Sequence, residues 1–306
     1  MGETCIPRYR MGWLPDYPDM RDYTPETDEV SARMKRLGQT ASVKSMLHKT
    51  GAAGPKQKSL PALADLRPWC SPVRDQQDLG SCTAHAGAAL VEYFERKAFG
   101  RHEDVSRLFL YKVTRTLLHW TGDTGAFLRS TMGALVLFGV PPEEFWAYRT
   151  ADFENEPPAF CYSFAQNFQA LSYFRHDPPG TGREKLLSEI KTHIASGLPS
   201  MFGFTVYGSI SQADGSGRIP FPGRSEKAIG GHAVAAVGYD DALEIANSEP
   251  DGPRTTGALL IKNSWGMAWG EQGYGWLPYY YVLRGLAEDF WSILKNEWVD
   301  TGVFKR

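Results

Sequence analysis

An α+β fold, a helical half followed by a β half, is what the sequence predicts, and two observations carry that expectation. Residues 82–98, CTAHAGAALVEYFERKA, bring apolar side chains round at helical spacing (Ala86, Ala89, Leu90, Tyr93, Phe94), with charge only towards the far end. Later come SMFGFTVYGSI (200–210), HAVAAVGYDD (232–241) and ALLIKNSWG (258–266), short apolar runs rich in β-branched and aromatic residues between Gly-, Asp- and Pro-containing turns. Helices grouped before strands favour α+β layering over alternating βαβ units.

Taken in order, the chain opens with residues 1–29, which carry three basic and seven acidic side chains. Within them MGWLPDYPDMRDYTP (11–25) holds three prolines and three aromatics, which forbids a continuous helix and favours an extended strand of chain. Such a segment cannot bury its rings alone, so it is expected to lie on the main domain. Residues 30–64 carry seven basic side chains and no acidic one, with TGAAGPKQKSLPA inside, and read as a linker. A solvated tether is the plain reading of that basic run; a contact for a polyanion or a nucleotide phosphate is the sharper one. After the helix at 82–98, helical patterns recur at 105–119 and 127–138, with Gly139 as a stop before Pro141-Pro142. Residues 241–257 are polar and loop-like enough to intrude on a cleft.

A chain of 306 residues with 42% hydrophobic and 22% charged residues is ordinary for a soluble globular protein with a sizeable core. A formal charge of −2 gives no general reason to expect nucleic acid or membrane binding. No apolar run reaches the ~18 residues of a membrane span, and the N-terminus has no signal-peptide core; the compartment stays open. Four cysteines (Cys5, Cys70, Cys82, Cys161) do not make a disulfide scaffold, although one bridge, Cys70 to Cys161 for example, is compatible with the count.

Cys82 stands behind Gly80-Ser81 at the expected start of a helix, where unpaired backbone N–H groups and the macrodipole favour a thiolate. A nucleophilic sulfur also needs an imidazole to take its proton. His85 is three residues on, but a lone C-x-x-H is weak evidence of a metal site. His232 is the better partner, set after Gly230-Gly231 and before the strand-like AVAAVGY. In IKNSWGMAWGEQGYGW (261–276), Asn263 ends an apolar run; its amide oxygen can accept the imidazole N–H, and the Trp265 indole can keep water away.

The segments VRDQQDLGSC (73–82), GGHAVAAVGY (230–239) and IKNSWGMAWGEQGYGW closely resemble the active-site blocks of the papain family of cysteine peptidases, in the order Cys, His, Asn. The resemblance extends over residues 60–295 and implies a two-lobe fold, a helical left lobe and a β-barrel-like right lobe with the active-site cleft between them. It implies Cys82 as nucleophile, His232 as general base and later acid, Asn263 as the residue orienting the imidazole, and Gln76 with the Cys82 N–H as oxyanion donors. Trp265 would shield the His–Asn bond and line the leaving-group side. TGDTGAFLRSTMGALVLFGV (121–140) resembles the substrate wall, so Gly125 would offer backbone hydrogen bonds to an extended peptide, with Ala126 and Phe127 bordering a pocket. Gly231 and Ala233 flank the histidine on the substrate side. Departures from the family pattern are Leu79 at a disulfide position, Thr83 and His85 at aromatic ones, and Gly231 in place of an acidic or polar residue.

The resemblance thus implies a thiol-dependent peptidase, endopeptidase favoured, that uses neither metal nor cofactor and acts on peptide or protein substrates as a monomer. An acyl transferase with the same triad and a catalytically silent peptide-binding protein are the alternatives. The family's long helical pro-segment is missing; as in a bacterial branch with short pro-segments, residues 1–59 would precede a peptidase domain at 60–306. Residues 11–25 are expected across or beside the cleft, restraining activity or serving as a permanent strap.

Overall fold

The computed structural model of the protein describes residues 10–52, 59–168, 172–250 and 252–304. It starts with β1 (Trp13–Leu14), α1 (Ala32–Arg36) and α2 (Val43–Thr50). Ser42 caps α2 by accepting the Ser45 N–H, and Gly51, at φ 76°, ends it. The basic stretch is therefore not all linker. Val43, Met46 and Leu47 recur at helical spacing and are buried in the main core. Net charge hides that short apolar face, because the lysines beside it point to solvent. Residues 53–58, the middle of the expected tether, lie outside the described residues.

The helical lobe follows β2 (Leu63–Asp65) and consists of α3 (Cys82–Phe99), α4 (Arg107–Leu117), β3 (Ala126–Phe127), α5 (Leu128–Leu137) and α6 (Ala159–Ala165). The three long helices lie where their apolar periodicity puts them, and Gly139, at φ 71°, stops the chain after α5. α3 is buried all round from Cys82 to Phe94, not on one face, because it packs on α4 and α5 on one side and on the sheet on the other.

The β lobe comprises β4 (Ser172–Arg175), α7 (Arg183–Ala195), β5 (Ser200–Tyr207), β6 (Ala228–Ala246), β7 (Arg254–Lys262), β8 (Tyr274–Pro278), α8 (Tyr279–Leu283), β9 (Ala287–Leu294) and α9 (Asn296–Asp300). Its seven-stranded sheet runs β4-β9-β5-β6-β7-β8, with β2 pairing β6, and every pairing is antiparallel. Among the described residues β4 and β8 remain at opposite ends and do not pair. The right lobe is thus an open sheet and no closed barrel. The described residues of 241–257 do not form an intruding loop. Glu244↔Thr256, Ile245↔Thr255 and Ala246↔Arg254 extend the β6–β7 hairpin, at the end of β6 remote from His232.

Cys70 and Cys161 are free and buried, so the bridge compatible with the sequence is not formed; Cys5 lies outside the described residues. No described helix is long and apolar enough to cross a membrane.

Candidate active site

Cys82 is the first residue of α3, and Ser81 before it makes no side-chain cap, leaving the helix-start N–H groups available to the sulfur. The backbone N–H groups of Ala233, Gly12 and Thr83 act on the thiol, which places it beside the residue that follows His232. Cys82 follows the Gly80-Ser81 turn, yet the turn does not expose its sulfur. In the structure it is fully buried, because residues 11–13 pass over it. Burial pushes the thiol up to about 11, and the surrounding N–H groups offset only part of that effect.

His232 lies on β6 and Asn263 directly after β7, and the antiparallel register Ala235↔Lys262 brings the two side by side. The imidazole Nε2 donates to Asn263 Oδ1 at 2.7 Å, which leaves Nδ1 as the nitrogen without a hydrogen-bond partner among the described residues. The Ser264 N–H also donates to Asn263 Oδ1 (2.8 Å), fixing the amide. Trp265 stacks on the imidazole, with ring centroids 4.4 Å apart and planes 24° apart. Burial lowers the His232 pKa to about 4, against the opposing effect of the Asn263 hydrogen bond. While the cleft is covered, burial acts on the thiol and on the imidazole alike in favour of their uncharged forms, and the helix-start N–H groups act against it at the sulfur.

Gln76 is buried. Its Nε2 donates to the carbonyls of Leu79 (2.8 Å) and Arg10 (3.1 Å), and its Oε1 accepts from Ser264 Oγ (2.6 Å). Ser264 thus pins both Gln76 and Asn263. It sits inside the NSW run, so its motif carried the signal, but its own role is a matter of three-dimensional contact. Tyr148 was also not singled out from sequence; its hydroxyl donates to the Gln76 carbonyl at 2.8 Å and contacts Ser81 Oγ at 2.6 Å.

Residues 10–16 run through the cleft between the lobes. β1 pairs with β3 in parallel, Trp13 opposite Ala126 and Leu14 opposite Phe127. The pairing N–H comes from Ala126, which donates to the Gly12 carbonyl (2.8 Å); Gly125 gives its own N–H to Tyr111 Oη (3.1 Å). What Gly125 supplies is room: at φ 73°, a Cβ there would stand 2.2 Å from the Gly12 oxygen. A Cβ on Gly12 itself would lie 1.9 Å from the Gly80 oxygen. On the sheet side, Trp13 lies against Gly203 and Gly231; a Cβ at Gly203 would fall 1.9 Å from the indole, and one at Gly231 2.6 Å from the Trp13 oxygen.

Polar groups anchor the segment's other end. Trp13 Nε1 (3.3 Å) and the Asp16 N–H (2.7 Å) both donate to Asp289 Oδ2, while Asp16 Oδ2 accepts from Trp291 Nε1 (2.9 Å) and the Arg129 N–H (3.1 Å). Arg175 Nη2 holds the other oxygen of Asp289 at 2.5 Å, and Asp22 pairs with Arg129 at 2.5 Å. Burial raises the pKa of Asp16 to about 6 and, helped by the Asp16 charge, that of Asp289 to about 7. Gln76, Cys82, His232, Asn263 and Trp265 are therefore gathered at one end of α3, and Gly125, Ala126, Phe127, Gly231 and Ala233 line the groove that the segment fills.

The comparisons with known proteins agree with this architecture. The family model for papain family cysteine proteases matches residues 60–280. An uncharacterized peptidase C1-like protein of Acanthamoeba polyphaga mimivirus is 32% identical over 293 residues, 92% of this chain and 86% of that one. Xylellain, a cysteine protease from Xylella fastidiosa, superposes with a TM-score of 0.72 at 32% identity, covering 94% of this chain and 96% of its own. The bromelain protease from Ananas comosus shares the fold at a TM-score of 0.56 and 21% identity, over 76% of this chain and 99% of that one. With its fold, the family match over more than two thirds of its length and a relative of known structure along nearly all of it, this chain belongs to the papain family of cysteine proteases.

Proposed function

We propose that the protein hydrolyses peptide bonds with Cys82 as nucleophile and His232 as its base and acid, and that residues 10–16 hold it inactive until they leave the cleft. The observation that carries the reading is the single constellation of Gln76, Cys82, His232 and Asn263, with the one unpartnered imidazole nitrogen on the side away from Asn263. His232 Nδ1 takes the thiol proton, and the thiolate attacks the substrate carbonyl. The oxyanion is held by Gln76 Nε2 and the Cys82 N–H, donors of a kind worth about 3 kcal/mol each in a transition state. The imidazolium then protonates the leaving amine, leaving a thioester; a water deprotonated by His232 releases the acid and restores the thiol. In the covered structure Gln76 already donates to a carbonyl, that of Arg10, so the segment occupies the position a substrate carbonyl would take. On this reading residues 1–59 precede the peptidase domain at 60–306, with residues 10–16 restraining it and α2 packed into its core.

The test is labelling with an epoxysuccinyl thiol inhibitor followed by peptide mapping. One equivalent bound at Cys82, and none in Cys82→Ala, is the expected result; modification at Cys70 or Cys161 instead would remove the proposed nucleophile.

A pH dependence follows from Asp16 and Asp289. Both carboxyls have raised pKa values when the segment is docked, and release would hydrate Asp16 and return it towards about 3.9. The docked state therefore binds more protons than the released state, so docking strengthens as pH falls and weakens as it rises through about 6 to 7. Arg129, Arg175, Asp22 and Asp177 are the charged neighbours that set the balance. In Cys82→Ala, cleavage of the segment by added chymotrypsin should be about tenfold faster at pH 8 than at pH 5, after correction for the protease's own profile. Asp16→Asn should flatten that rise; a profile steeper in acid would contradict the linkage.

A further inference from the structure

Asp123 stands on the helical wall of the cleft, two residues before Gly125. Its Oδ1 accepts the backbone N–H of Gly80 at 2.8 Å and the Tyr111 hydroxyl at 2.6 Å. Tyr111 Oη in turn accepts the Gly125 N–H, so the carboxylate is tied to both the turn before Cys82 and the substrate wall. These bonds fix the group and consume one oxygen. The other, Oδ2, is turned to the segment and takes the Arg10 Nε at 3.2 Å, with the Asp123 side chain 15% and the Arg10 side chain 56% exposed. Among the described residues Arg10 is the only cation paired with it. Burial first, and then the charges of Asp123, Asp75 and Asp78, raise the pKa of the Tyr148 phenol, so three carboxylates face this side of the nucleophile.

Arg10 supplies the second half of the argument. Its carbonyl is the one that accepts from Gln76 Nε2 at 3.1 Å. The residue that presents its carbonyl to the amide donor is thus the residue that presents its side chain to Asp123. A substrate residue whose carbonyl takes the same donor, with its side chain directed to the helical wall, has the same carboxylate oxygen within reach.

We propose that Asp123 is a specificity residue that selects arginine or lysine as the substrate residue whose carbonyl is attacked. The inference rests on Cys82 and Gln76 acting as proposed above. A fixed, charge-assisted acceptor in a mostly covered position discriminates a guanidinium from an uncharged chain by geometry as well as charge.

The experiment uses the full-length chain and two peptidyl acyloxymethyl ketones that differ only in carrying arginine or norleucine next to the reactive ketone. The ratio of their labelling rates at Cys82 is independent of how much of the chain has an open cleft, so it reads the site alone. An arginine preference of at least tenfold is expected at low ionic strength. It should shrink at 0.5 M salt and fall towards unity in Asp123→Asn. Equal labelling of Cys82 by both probes, or a preference unchanged in Asp123→Asn, overturns the assignment and leaves the peptidase reading intact. Failure of both probes to modify Cys82, in the full-length chain and in Trp13→Ala alike, overturns the peptidase reading, and this inference with it.

Discussion

Trp13→Ala in the otherwise intact chain is expected to raise kcat/KM for a fluorogenic peptide by about 10²-fold. The indole is only 5% exposed, sits on two glycines and donates to Asp289. Removing a buried Trp side chain costs about 3–5 kcal/mol where the rest of the structure cannot collapse into the gap. Here the loss falls on the docked state alone, since in the released state the ring is in water in both variants. Part of the loss is recovered when Met11 and Leu14 shift, which brings the estimate to about 2–3 kcal/mol, or roughly 30- to 150-fold more open cleft. The control is thermal melting, which should drop far less than for a substitution in α3. An unaltered rate with the segment demonstrably loosened would show that residues 10–16 cover the cleft without governing it.

In that activated background, Cys82→Ala and His232→Ala should each lower kcat by about 10⁴- to 10⁶-fold, and the double variant should lose little more than either alone. The reason for non-additivity is that the imidazole has nothing to deprotonate without the thiol, and the thiol has no base without the imidazole. His232 reaches its orientation through Nε2 and Asn263, so the geometry that survives in Cys82→Ala is that of the complete ring clamp between Asn263 and Trp265. Additive losses in a steady-state assay would mean that the two side chains act in separate steps.

The parts of this site that could be read from the sequence are those whose neighbours in space are also neighbours along the chain. Cys82 follows its turn, His232 opens its strand, and Asn263 closes the next one; each motif carries its own local context. Gln76 belongs to the same stretch as Cys82. What stayed hidden depends on distant pairs. Asp289 meets Trp13 across 276 residues of sequence, and Asp123 becomes meaningful only when Arg10 lies beside it. The openness of the sheet is likewise non-local, because it turns on whether β4 reaches β8. For the basic run the difficulty was different. Seven positive charges dominate the composition of residues 30–64, yet three apolar side chains at the right spacing suffice to seat a helix.

That seated helix changes what maturation can look like. Val43, Met46 and Leu47 belong to the same apolar interior as the peptidase lobes, so a product trimmed to begin at Leu60 would carry a greasy scar where they had been. On the proposed function, unmasking Cys82 therefore calls for a cut or a swing upstream of α1, after which the stub would stay in place as a foundation stone while only the first few dozen residues depart.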